Sequence, residues 1–118
     1  GDGMFSAGSG EVDAEVRPLL ARIGAALAQV PGPVLVSGHS DSTPIRSLRY
    51  PSNWHLSKAR ALSVRDVLAA QVEPARITAD GRADTEPVDD NGSAAGRARN
   101  RRVEIVLTPS ISGVGEGR

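Results

Sequence analysis

Residues 34–60 read VLVSGHSDSTPIRSLRYPSNWHLSKAR, and the rest of the chain is arranged around them. The apolar run Val34-Leu35-Val36 closes on Ser37-Gly38-His39-Ser40-Asp41, the pattern of a short buried strand that ends in a turn. A polar loop follows, Ser42 to Ser52, with two prolines and two arginines. Ser52 and Asn53 are both good helix N-caps, so a helix is predicted to start there and run to about Gln71. The strand therefore delivers the Asp41 carboxylate to its C-terminal tip, and the helix brings in the Arg60 guanidinium. At about 100° per residue, Leu56, Ala59, Ser63, Val67 and Ala70 share one side of this helix, with Leu62 and Leu68 off the stripe. The small Ala59 and Ser63 are expected to allow close approach to a sheet. Arg60 lies in the same stripe, and an inward charge needs a partner, because desolvating it alone costs several kcal/mol.

Upstream, Val16, Leu20, Ile23, Leu27 and Val30 recur at helical spacing. They predict a helix from about Val12 to Gln29, whose true start is nearer Arg17 because Pro18 fits only in a first turn. Pro31-Gly32-Pro33 stops it. Gly1 to Gly10 carries four glycines and one large apolar pair, Met4-Phe5, which reads as a short edge strand or as a segment without structure. Gly1-Asp2-Gly3 looks like the cut end of a larger protein. Downstream, residues 76–82 alternate as a strand, residues 83–96 read as a polar loop, and Ala94–Asn100 has room for a short helix. Val103, Ile105 and Leu107 alternate with Glu104, Val106 and Thr108 as a last strand. Pro109 onward is rich in Ser and Gly and reads as disordered.

The resulting fold class is α+β, a two-layer α/β sandwich with the order βαβαβ(α)β, a mixed sheet and helices on one face. We divide the chain into an N-terminal segment (1–11), one domain (12–108) and a tail (109–118). At 118 residues and 39% hydrophobic content there is one core to build, and with 3% aromatics it must come from Val, Leu, Ile and Ala. Basic and acidic residues number 14 each, which leaves no net field to draw in nucleic acid or a membrane surface. Cysteine is absent, so disulfides and thiolate metal sites are excluded. No signal peptide or membrane-spanning run is visible.

Enzymatic readings fare poorly. His39 and Ser40 are consecutive on a strand and point to opposite faces, and no G-x-S-x-G elbow exists. His39 and His55 lack zinc-ligand spacing. The carboxylates Asp80, Asp84, Glu86, Asp89 and Asp90 read as a solvated loop rather than a calcium loop. Arg97, Arg99, Arg101 and Arg102 lack the aromatic interleaving of a nucleic-acid surface. Asp41 with Arg60 reads either as a structural ion pair or as a ligand pair. In the second case one acidic and one basic group a few Å apart would take the ammonium and carboxylate of a free amino-acid head group. Asn53 and backbone N–H groups at the helix start would add donors. Both residues are expected at the rim of the sheet, contributing little apolar burial.

Gly38-His39-Ser40-Asp41, Asn53-x-x-Leu56-Ser57-x-x-Arg60-Ala61, Gly81 with Pro87, and Ala95-Gly96-Arg97-x-x-Asn100-Arg101-Arg102-Val103-Glu104-Ile105 together resemble the OmpA-like peptidoglycan-binding domain, in order, from about Met4 to Leu107. Ser40 stands where the family usually has Thr. The long loop through Pro44-Ile45-Arg46 and Tyr50-Pro51-Ser52-Asn53-Trp54 resembles the version in flagellar stator proteins and, more closely, in the type VI secretion inner-membrane accessory protein. The resemblance implies a non-catalytic domain without metal or cofactor, periplasmic, belonging to an inner-membrane protein whose membrane part lies outside this chain. It implies binding to meso-diaminopimelate in the peptidoglycan stem peptide, with other envelope or secretion proteins as partners. By position, Asp41 would hold the ammonium and Arg60 the carboxylate. Ser40, Asn53 and Leu56 would line the pocket, and Arg102 would support it. The alternative within the same fold is an assembly domain that meets another protein through the Tyr50–Trp54 loop, where aromatics suit an interface, without binding the wall.

Overall fold

A computed structural model describes residues 3–110. After a 3-10 turn at Ala14–Val16 come α1 (Arg17–Leu27), β1 (Val34–Gly38), α2 (Asn53–Leu68), a second 3-10 turn at Pro74–Arg76, β2 (Ile77–Gly81), α3 (Ala94–Asn100) and β3 (Val103–Leu107). Among the described residues the strands form one sheet in the order β2-β1-β3. β1 runs parallel to β2, with Val34 opposite Ile77, and antiparallel to β3, with Val34 opposite Leu107. Pro18 occupies the first turn of α1, where its missing N–H is no loss. Ser52 caps α2 by accepting the His55 N–H.

The inward face of α2 is rotated from the expected stripe. Leu56, Ser57, Arg60, Ala61, Val64 and Leu68 are the buried positions, while Ala59, Ser63 and Val67 are only half-buried and Ala70 is exposed. The reason lies in the strands rather than in the helix. A Cβ on Gly38 would collide with the Ser57 carbonyl, and one on Gly81 would come within 2.7 Å of the Lys58 backbone nitrogen. Two side-chain-free positions at the ends of β1 and β2 thus let the helix backbone lie directly on the sheet. Leu68, which the helical stripe left out, is fully buried. Ala59 and Ser63 face the N-terminal segment instead: the Val12 N–H reaches the Ser63 hydroxyl, and Gly10 lies against Ala59.

Met4 and Phe5 form no strand; the chain bends there. Phe5 is nevertheless fully buried among Val12, Leu20, Val36, Val64 and Val103, so residues before Val12 complete the core. The backbone acceptors that an edge strand would offer a neighbour are taken by other groups, the Met4 carbonyl by the Asp13 N–H at 2.9 Å and the next ones by side chains. Arg101 Nε donates to the Phe5 carbonyl at 3.0 Å, and Arg60 donates to the carbonyls of Ser6 and Ser9 at 3.2 and 2.8 Å. On β3, the Val103 N–H turns to the Met4 thioether at 3.4 Å. Gly3 and Gly8 adopt positive φ, which breaks any extended run between them. Most of the expected tail, residues 111–118, lies outside the described residues.

Candidate functional site

The strand tip is opened by its own hydrogen bonds. Beyond Gly38, the His39 N–H goes sideways to the Arg102 carbonyl at 2.8 Å, and the Ser40 N–H goes the other way to the Ala83 carbonyl at 2.9 Å. Held from both flanks, the chain turns at Asp41. The Ser40 hydroxyl donates to the Asp41 carbonyl at 2.9 Å, and Asp41 Oδ1 accepts the Thr43 N–H at 2.9 Å. A carboxylate that accepts a backbone N–H two residues ahead fixes its own turn. Asp41 is 7% exposed, so its second oxygen also needs a partner. Arg101 Nη1 meets Oδ2 at 3.0 Å, and Arg101 is itself 8% exposed.

Arg60 is fully buried. Its Nε, Nη1 and Nη2 donate to the carbonyls of Ser9, His39 and Ser6, at 2.8, 3.1 and 3.2 Å, and the guanidinium sits over the Phe5 ring at 5.1 Å from its centre. Burial lowers its pKa to about 10; the Asp41 carboxylate offsets part of that and Arg101 adds to it. The group therefore remains a cation at neutral pH. Two of its five N–H groups are left for other acceptors.

Asp41, Asn53, Leu56 and Arg60 come together around one cleft, joined by Ala7 and Gly8 from the N-terminal segment and by Thr43, Pro44 and Ile45 from the loop. The empty space is about 340 Å³, including its open mouth. Asn53 Nδ2 donates to the Thr43 carbonyl at 3.1 Å, so this side chain pins the loop to the start of α2. The cleft presents one carboxylate, one buried guanidinium and an apolar wall made by Leu56, Pro44 and Ile45, a combination suited to a small zwitterion with an aliphatic stem.

Two expected residues are elsewhere. The Ser40 hydroxyl faces its own chain and is 3% exposed, so it braces the Asp41 turn without forming the cleft wall. Arg102 points to the sheet face that carries no helix, where its Nε donates to Glu104 at 2.8 Å and its Nη1 and Nη2 donate to the carbonyls of Asn100 and Glu86. The supporting arginine is Arg101. Strand alternation contained the signal: Arg101 shares parity with the inward Val103, and Arg102 with the outward Glu104. The expected contact of Arg60 with Asp41 is likewise indirect; both border the cleft, but the ion pair belongs to Arg101. Nor does Arg60 lie at a rim that contributes little to the fold, since it ties two segments together through backbone carbonyls.

The opposite side of the strand tip holds His39, 1% exposed, with neither ring nitrogen hydrogen-bonded. Its Nε2 lies 3.8 Å from Glu104 Oε1. Burial, and then the Arg102 charge, lower its pKa below the ordinary 6.5.

A family model described as OmpA matches residues 4–101. The uncharacterized protein YtxE of Bacillus subtilis is 40% identical over 109 residues, which is 91% of this chain and 45% of that protein. Motility protein B of the same organism is 34% identical over 109 residues, 90% of this chain and 42% of its own length. The chain thus spans less than half of these curated relatives. Among solved structures, the cell wall anchor of the type VI secretion system from Pseudomonas aeruginosa superposes with a TM-score of 0.81 at 56% identity, over 91% of this chain and 76% of that one. The periplasmic domain of Helicobacter pylori MotB gives 0.82 at 26% identity, over 95% and 73%.

Proposed function

Because the chain belongs to the OmpA family, we propose that it binds peptidoglycan without hydrolysing it and so anchors an inner-membrane machine, of the type VI secretion kind, to the cell wall from the periplasmic side. The observation that carries this reading is the cleft shared by Asp41 and Arg60, in a chain 56% identical to a solved cell wall anchor. The ligand is the free end of meso-diaminopimelate in the stem peptide. Its ammonium meets Asp41, its carboxylate takes the remaining N–H groups of Arg60, and its methylene chain lies against Leu56. An Arg fork suits a carboxylate better than a lysine would. The chemistry is recognition alone: the Ser40 hydroxyl is committed to a carbonyl, and His39 faces away from it on the far side of the sheet tip.

Co-sedimentation with isolated sacculi tests the reading. Asp41→Asn keeps the shape and removes the charge, replacing one acceptor oxygen by an NH2 donor. It is expected to reduce wall binding at least tenfold, since a charge-assisted hydrogen bond contributes about 1.5–3 kcal/mol. Arg102→Ala, outside the cleft, is expected to sediment like the wild type. Full binding by a well-folded Asp41→Asn variant would overturn the proposal.

A second reading has its own observation. Trp54 is 56% exposed and Leu48 fully so, both beside the long loop, which suits contact with another protein. Tyr50 is half-buried against Gly10 and takes a smaller part in that surface. Failure of the wild type to sediment with sacculi would move the function to this loop.

A further inference from the structure

The cleft of Asp41 has a neighbour. Ala7, Asp41 and Thr43 form a wall common to both, and beyond it a second opening of about 640 Å³ lies against α3, bordered by Ala98, Arg97 and Arg101. The charges of the two openings do not balance. Among the described residues Asp41 is the one carboxylate bordering them, and Arg101 engages it at 3.0 Å. Arg60 in the first opening and Arg97 in the second leave an excess of two positive charges. A zwitterionic head group is neutral and leaves that excess in place.

Arg97 is the group free to act. It is half-buried, its Nη1 donates to the Asn91 carbonyl at 3.0 Å, and among the described residues no carboxylate pairs with it. Its Nε and Nη2 make no hydrogen bond among the described residues. A guanidinium anchored at one nitrogen and open at the other two is oriented to receive a carboxylate. Arg101 cannot serve in its place, because its charge is answered by Asp41 and its Nε by the Phe5 carbonyl.

We propose that the second opening is a carboxylate subsite: a short peptide whose zwitterionic head occupies the first cleft passes over Asp41 and Thr43 and sets the carboxylate of an adjacent residue on Arg97. This rests on the function proposed above, and makes the ligand an acidic peptide rather than a lone amino acid. Arg97 is the residue that selects for its flanking charge.

Calorimetric titration of the protein with three probes tests it: free meso-diaminopimelate, a stem tripeptide whose flanking acidic residue has a free carboxylate, and the same tripeptide with that carboxylate amidated. The wild type is expected to bind the free-acid peptide about fivefold more tightly than the amidated one, a modest factor because Arg97 is partly solvated. Arg97→Gln is expected to erase this difference while leaving its affinity for free diaminopimelate and its melting temperature unchanged. Equal binding of both peptides by the wild type overturns the subsite alone. So does a difference that survives in Arg97→Gln, or an equal loss for all three probes in that variant. Absence of binding to any probe by the wild type overturns the diaminopimelate reading and the subsite with it.

Discussion

Arg101 and Arg102 are neighbours with the same charge, and they end on opposite sides of the sheet tip. Arg101 is buried, pairs with Asp41 and holds the Phe5 carbonyl. Arg102 lies on the helix-free face, within a solvated set made by Glu104 and the Glu86 carbonyl, beside a buried His39. On the Asp41 side the charges of Asp41, Arg101 and Arg60 are desolvated, and each of these three is held by geometrically fixed partners. On the His39 side the charged groups keep contact with water, and the one fully buried polar ring has no hydrogen bond. The same residue types are therefore structural and site-forming on one side of the strand tip, and only weakly stabilising on the other.

The largest expected effect breaks the first side. Arg60→Ala takes their side-chain donor from the carbonyls of Ser9 and His39, while the Ser6 carbonyl keeps the Ser9 N–H, and it removes the cation over Phe5. Unsatisfied buried groups cost about 1–3 kcal/mol each, so a loss of at least roughly 2 kcal/mol is expected, with a melting temperature lower by about 8 °C or more. A melting temperature within a degree or two of the wild type would show that the N-terminal segment is held by something else.

Next comes the Asp41–Arg101 pair. Asp41→Ala strands a buried cation and is expected to cost about 3 kcal/mol in denaturant unfolding. Arg101→Met in the same chain should restore part of that loss, because the uncompensated charge is gone. If the two substitutions prove additive, the pair contributes no coupling.

The smallest effect sharpens the second side. The folded pKa of His39 lies below its unfolded value, so the unfolded chain binds the extra proton first as pH falls. The contribution of neutral His39 is fully present above pH 6.5 and is lost progressively as pH drops from 6.5 toward the lowered folded value. Glu104 at 3.8 Å and Glu86 moderate the loss, while Arg102 and Arg82 increase it. Urea midpoints of the wild type should fall between pH 7 and pH 5.5 more steeply than those of His39→Leu. Parallel curves would mean that Glu104 swings in and neutralises the imidazolium.

The local pattern of the sequence was sufficient for α1, β1, α2, β2, α3 and β3. Each is a short segment with a cap, a proline stop or an alternation of its own, and helix caps and period act over a few residues. The sequence also placed Asp41 at a strand tip and Arg60 on an inward helix position, because both follow from counting along one element. What it could not decide depends on which element meets which. The α2 face turned toward the sheet was set by Gly38 and Gly81 on two strands, where an absent side chain lets the helix backbone descend. Met4 and Phe5 form no strand: the Met4 carbonyl takes the Asp13 N–H, and the Phe5 carbonyl takes the guanidinium of Arg101, 96 residues away. The parity of β3 separated Arg101 from Arg102, but only the fold showed that the Arg101 side of the tip meets Asp41. A buried charge is answered by whichever opposite group the assembled fold brings within hydrogen-bond distance, and that distance exists only in the tertiary structure.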